Sequence, residues 1–84
     1  MPAHRNVGDT ALAFTEAARA ELEVLRDAYG TWSLAPSGSL SFESQTVRAA
    51  YEVAEERTQS AMDAYVRASE AWIQHMRERA NRGR

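Results

Sequence analysis

Residues 47–72 read VRAAYEVAEERTQSAMDAYVRASEAW, and the spacing of their apolar and small side chains indicates the fold. These side chains recur at alternating intervals of four and three, a heptad pattern maintained for more than three heptads. The heptad seam comprises Val47, Tyr51, Ala54, Thr58, Ala61, Tyr65, Ala68 and Trp72. Three larger residues widen this apolar face: Met62, Ile73 and Met76. The pattern predicts one long helix over residues 42–80, with Ser41 or Ser44 as its N-cap.

A shorter helix is predicted upstream, over residues 10–29. Its apolar stripe has spacings of four, four, three and four, which places the stripe on one helical face. The stripe comprises Phe14, Ala18, Leu22, Leu25 and Tyr29. Asp9 or Thr10 can cap the start of this helix. Gly30 follows directly, and we expect it to end the helix in a left-handed conformation.

The segment between the helices, residues 30–41, reads GTWSLAPSGSLS and is predicted to be an irregular linker. It is long enough for the two helices to fold back antiparallel. The predicted fold class is therefore all-α, a single helical-hairpin domain over residues 1–84. Residues 1–8 and 81–84 are predicted to be mobile ends.

The predicted helices differ in length, and the difference points to a partner. The first helix would cover the second only from Phe42 to about Met62, which leaves several large side chains uncovered. A dimer with two-fold symmetry would cover the same patch twice and produce a four-helix bundle. The predicted partner interface consists of Tyr51, Ala54, Thr58, Ala61, Met62, Tyr65, Ala68, Trp72, Ile73 and Met76.

Composition agrees with a chain that depends on association. Of the 84 residues, sixteen are alanine and only thirteen are Leu, Ile, Val or Phe, so a self-contained core would be thin. Cysteine is absent, which excludes disulfides and thiolate metal sites. All ten basic residues are arginine, as in proteins encoded by GC-rich genes. The N-terminal residues lack the apolar segment of a secretory signal, so a cytoplasmic protein is expected.

Catalytic and metal sites are not predicted. The two histidines, His4 and His75, have no second histidine three or four residues away with which to form a metal pair. The Glu-x-x-His element of di-iron helical bundles would need glutamate at position 72, where this chain has Trp72. No nucleophile elbow or phosphate-binding glycine loop is present. We therefore predict a protein that is not an enzyme, with no catalytic residues, no metal and no cofactor.

Nucleic acid is not the expected partner either. Residues 9–73 carry eleven acidic and five basic side chains, so this part of the chain would repel phosphates. Residues 74–84 carry four arginines and one glutamate. Cations at this position favour the negative end of a helix. No apolar run is long enough to span a membrane. The expected partner is a second copy of the chain or another helical protein.

Trp32 follows Gly30 in the turn. A small, alanine-rich helical hairpin with a tryptophan in its turn resembles the WXG-type substrates of type VII secretion, over residues 10–72. The resemblance implies dimeric four-helix bundles and export without a cleaved signal peptide. The chain reads Trp32-Ser33-Leu34 where the family has Trp-x-Gly. The family's export signal, Tyr-x-x-x-Asp/Glu, follows its second helix, whereas the one match here, Tyr51 to Glu55, lies early in that helix.

Two interpretations of Trp32 remain open. It can close the open end of the hairpin together with Leu34 and Leu40, or it can anchor a partner, as tryptophan often does at interfaces. The predicted function is non-catalytic protein–protein interaction through self-association along the heptad seam. Two alternatives remain: a type VII-like secreted substrate or its partner, and a small inhibitor or antitoxin-like regulator that masks a larger protein.

Overall fold

A computed structural model describes the backbone of residues 3–83 and the side chains of residues 5–83. The element order is α1 (Ala3–Asp27), β1 (Trp32–Leu34), β2 (Leu40–Phe42) and α2 (Gln45–Arg82). The two helices pack against each other and carry most of the chain, so the predicted helical hairpin is confirmed. Two strands of three residues, joined as a small β-hairpin, were not predicted.

Helix α1 begins seven residues before its predicted start. Asp9 and Thr10 are therefore not N-caps, and residues 3–8 are helical rather than a mobile end. Residues 1 and 2 lie outside the described part of the chain. The Thr10 hydroxyl donates to the carbonyl oxygens of Asn6 (2.8 Å) and Val7 (3.1 Å), a bond pattern of helix interiors. Val7 is half-buried and lines the same groove as Trp72 of α2, so packing on α2 supports the helix upstream of its predicted cap.

Helix α1 ends at Asp27, two residues before its predicted end. The Ala28 N–H still donates to the Val24 carbonyl (3.2 Å), but the Tyr29 N–H donates to Arg26 (3.2 Å) instead of Leu25. Gly30 then has a φ of +89°, so its predicted left-handed conformation is confirmed.

The predicted irregular linker contains the β-hairpin. Trp32 pairs with Phe42 and Leu34 pairs with Leu40, in antiparallel register. The turn is closed by bonds from the Ala35 N–H to the Ser39 carbonyl and from the Gly38 N–H to the Ala35 carbonyl, both 2.9 Å. Gly38 has a φ of +89°. The segment does link the two helices, but it also contains regular structure that was not predicted, because Pro36 and Gly38 lie in a tight turn between two strands.

Helix α2 begins at Gln45 and ends at Arg82, so its predicted range of 42–80 is shifted towards the C-terminus. The predicted cap Ser44 is confirmed, since its side chain accepts from the Val47 N–H at 3.4 Å. Phe42 belongs to β2 instead. Residues 81 and 82, predicted to be mobile, complete the helix, and the Gly83 N–H donates to the Arg79 carbonyl at 3.1 Å.

The molecule is a thin layer of two antiparallel helices, with Cα extents of 60 × 26 × 15 Å. Phe14 of α1 stacks on Tyr65 of α2, and Val7 lines the same groove as Trp72. Helix α1 therefore reaches well past Met62, where its coverage was predicted to end. The reason is the longer N-terminal part of α1 together with the β-hairpin, which occupies the space beside the first turns of α2.

Candidate interaction surface

The heptad seam lies inside the hairpin, along the face of α2 that packs against α1. Every member of the seam is buried or half-buried, and Ala54 and Ala68 are the least exposed residues that the structure describes, at 8% and 4%. Thr58 satisfies its hydroxyl within the helix by donating to the Ala54 carbonyl at 3.0 Å. The small residues permit close approach of α1, and the aromatic residues fill the space between them. Most of the predicted partner interface is thus occupied by the chain's own first helix.

Two aromatic pairs attach the flanking segments to the seam. The rings of Phe14 and Tyr65 are stacked with centroids 6.2 Å apart, and those of Phe42 and Tyr51 are tilted with centroids 5.3 Å apart. Such pairs contribute about 0.5–1.5 kcal/mol beyond the area that they bury. The first pair joins α1 to the middle of α2, and the second joins the β-hairpin to its first turns.

The predicted stripe on α1 is only partly correct. Phe14, Ala18 and Leu25 are half-buried, but Leu22 and Tyr29 are exposed. The face that packs on α2 instead repeats every seven residues from Val7, and Glu21 occupies one of its positions. The prediction missed this register because it followed apolar side chains alone, and Glu21 interrupts the apolar pattern of the packed face.

Glu21 faces the phenol of Tyr51. Burial is the main reason why the pKa of Tyr51 rises from 10.0 to about 12, and the negative charges of Glu21 and Glu55 and hydrogen bonding to these carboxylates raise it further. The neutral phenol therefore gives Glu21 a polar partner at the helix interface. The Tyr51 phenol thus allows the polar side chain of Glu21 to lie in the contact between α1 and α2.

Trp32 folds back on the end of α1. Its indole N–H donates to the Leu25 carbonyl at 2.7 Å, and the side chain is half-buried. That carbonyl has lost its helical donor, because the Tyr29 N–H is bonded to Arg26. Trp32 thus supplies one of the hydrogen bonds that a helix C-terminus lacks. This contact fits the interpretation that Trp32 closes the end of the hairpin, although Leu34 is exposed.

A second, mainly apolar stripe lies in the C-terminal half of α2, and four of its six residues are exposed. It has spacings of four, three, four, three and four, beside the seam but offset from it. We call it the outer stripe, and it consists of Met62, Val66, Ser69, Ile73, Met76 and Ala80. Val66, Ile73 and Met76 are about half exposed. The signal that could have identified it was the predicted widening of the seam by Met62, Ile73 and Met76.

Part of the outer stripe lines an open apolar groove of about 470 Å³. The apolar residues that line the groove are Val7, Trp72, Ile73, Met76 and Ala80. The groove is large enough to accept apolar side chains from another helix. A smaller groove on α1 is lined by Phe14, Ala18 and Leu22.

The buried core is minimal. Among the residues that the structure describes, only Ala54 and Ala68 are buried, and no large side chain is fully buried. The accessible surface is 6559 Å², whereas a compact monomer of 9.4 kDa exposes about 5,000 Å². The excess of roughly 1,500 Å² exceeds the ~800 Å² that each partner buries in a standard protein–protein interface.

Among the side chains that the structure describes, residues 5–83, no group of three or more His, Asp or Glu is arranged to hold a metal ion. His75 is exposed, and the side chain of His4 lies outside the described residues. The polar groove between the β-hairpin and α2 contains Arg48 and Glu52, which pair with each other at 3.1 Å. Arg82 pairs with Glu78 at 3.8 Å in the last turns of α2.

Neither described helix combines the length and the apolarity needed to cross a membrane. Comparison with protein-family models, with curated proteins and with solved structures returns no match to this chain. The resemblance to WXG-type proteins therefore stays a prediction.

Proposed function

We propose that this protein is a non-catalytic protein–protein interaction module that self-associates as a dimer of helical hairpins. The observation that carries the proposal is the near absence of a core: two alanines are the only buried residues among those described. A domain of this size needs either a staple or an association to supplement so small a core. The chain has no cysteine for a disulfide staple.

The distribution of apolar side chains supports association over an isolated hairpin. Four large apolar side chains have about half or more of their surface exposed: Leu22, Val66, Ile73 and Met76. Burying half of such a side chain contributes about 1 kcal/mol. In a two-fold dimer each of these side chains is buried once in each copy. The summed free energy of burial is then comparable with the whole free energy of unfolding of a small domain.

The proposed association surface differs from the heptad seam predicted from sequence. Helix α1 covers most of that seam, so a second copy would meet the side chains beside it. Of the ten predicted interface residues, Ile73 and Met76 are the most exposed. A two-layer arrangement of two hairpins would still be a four-helix bundle.

The test is the solution mass by light scattering after size exclusion, over a dilution series. We expect a mass twice the 9.4 kDa of the chain, with high helicity by far-UV circular dichroism on the same samples. A folded monomer at every concentration would refute self-association. A poorly helical monomer that becomes helical only with a different protein would favour the masking regulator instead.

A further inference from the structure

We infer that the dimer forms through the outer stripe, with the two α2 helices antiparallel and their two-fold axis near residue 71. This inference rests on the proposed self-association and specifies its surface and orientation. The occupant of the surface is a second copy of the chain. The excess of roughly 1,500 Å² of accessible surface is enough to supply one side of such an interface.

The first argument is the order of residues along the stripe. Its spacings of four, three, four, three and four read the same in both directions. Two copies related by a two-fold axis can therefore place every stripe position opposite another stripe position. Met62 meets Ala80, Val66 meets Met76, and Ser69 meets Ile73. Two of these three pairs combine a large with a small side chain, which is the arrangement that lets facing layers interdigitate.

The second argument is the groove beside the stripe. In the antiparallel arrangement, Val66 of one copy lies opposite Met76 of the other, where the groove of about 470 Å³ opens. Val66 and Met62 then act as knobs, and the groove that Trp72 and Ile73 line acts as the hole. The symmetry creates this contact twice, so both grooves of the dimer are filled.

The third argument is charge. A parallel pairing would place the arginines at positions 77, 79 and 82 of both copies side by side, and like charges at close range repel. The antiparallel pairing separates the two basic ends. It also places Asp63 of each copy at the level of Arg79 of the other, which joins opposite charges at the rim.

The test is the distance between nitroxide spin labels on an Arg82→Cys variant, measured by pulsed electron paramagnetic resonance. The chain has no native cysteine, so this variant carries a single label per copy. Position 82 is eleven residues from the inferred axis, and the rise of 1.5 Å per residue predicts label sites about 33 Å apart. A parallel pairing would bring the labels to within about 20 Å.

The matched variants are Ile73→Glu and Val53→Glu. The two side chains are almost equally exposed, at 51% and 52%, but twenty residues of helix place them on opposite sides of α2. Ile73→Glu should weaken dimerisation at least tenfold, so that at least ten times more protein is needed to reach the wild-type helix content and to show the 33 Å distance. Val53→Glu should leave the mass and the distance unchanged.

The outcomes separate the two proposals. A dimeric mass with a label distance below about 20 Å would overturn the antiparallel arrangement and leave self-association intact. A dimer that Val53→Glu disrupts and Ile73→Glu does not would overturn the outer stripe as the interface. A monomeric mass with no intermolecular distance would overturn both.

Discussion

Trp32 offers a direct test of how the open end of the hairpin is held. Its indole bonds to the Leu25 carbonyl at 2.7 Å, and its ring is half-buried. Replacing a fully buried tryptophan by alanine costs about 3–5 kcal/mol. About half of that cost, roughly 2 kcal/mol, is expected at this position, including about 1 kcal/mol for the hydrogen bond.

The expected change is measurable by thermal unfolding followed by circular dichroism. In a domain of this size, 1 kcal/mol changes the Tm by about 4–8 °C, so Trp32→Ala should lower it by roughly 8–16 °C. Trp32→Phe retains most of the ring and removes the N–H donor, and it should lower the Tm by about 4–8 °C. Both variants should keep the solution mass of the wild-type protein.

The opposite pattern would refute this account of Trp32. If Trp32→Ala melts at the wild-type temperature but loses association or capture of a partner, the tryptophan is an interface anchor. The hydrogen bond to Leu25 would then contribute nothing measurable to stability.

Three further predictions concern stability. Ser44→Ala removes the N-cap of α2 and should cost about 1 kcal/mol by chemical denaturation, whereas Ser41→Ala should cost less, because Ser41 lies in β2 and caps no helix. Ala68 is the least exposed residue that the structure describes, so Ala68→Leu should overfill the contact between the helices and destabilise the protein by about 1–3 kcal/mol. The same change at exposed Ala71 should be nearly neutral. Equal effects of the two changes would contradict the packing of α2 on α1. The raised pKa of Tyr51 adds stability that is fully present below pH 10.0 and is lost as the pH rises through about 12. The free energy of unfolding of Tyr51→Phe should therefore fall less than that of the wild type over this pH range. Tyrosinate absorbance, wild type minus Tyr51→Phe, should give a midpoint near 12, and a midpoint near 10.0 would contradict the burial of the phenol.

The helices could be predicted from the sequence because their signals are local and repeated. The heptad seam runs over residues 47–72, and all of its positions are buried or half-buried in the structure. Ser44 has the short oxygen-bearing side chain that N-caps require. Gly30 has the positive φ that the end of α1 needs.

The features that were missed depend on tertiary contacts. No favoured capping residue precedes Ala3 in the sequence, and the half-burial of Val7 in the groove that Trp72 also lines is a tertiary feature that the local sequence does not show. Glu21 was not identified as a member of the packed face, because its polar partner, the Tyr51 phenol, lies thirty residues away in the sequence. The strands on either side of Pro36 and Gly38 have only three residues each, too few to show a clear alternating pattern.

The candidate interaction surface was predicted only in part, again because tertiary contacts decide which side of α2 stays open. The pattern identified α2 as an interface helix but could not distinguish the side that α1 covers from the side that stays open. Two heptad patterns share this helix, and only the position of α1 separates the seam from the outer stripe. Ile73 and Met76 belong to the widened face that was predicted, and they are the members that remain most exposed.

The most direct test of the central claim, that association replaces a buried core, is the concentration dependence of the Tm. For a protein that is folded only as a dimer, a hundredfold increase in concentration stabilises the folded state by about 2.7 kcal/mol. We predict a Tm that rises by roughly 5–10 °C over that range, with unfolding and dissociation in one transition. A Tm that stays constant across the same range would show that the hairpin is stable as a monomer, and it would contradict the account.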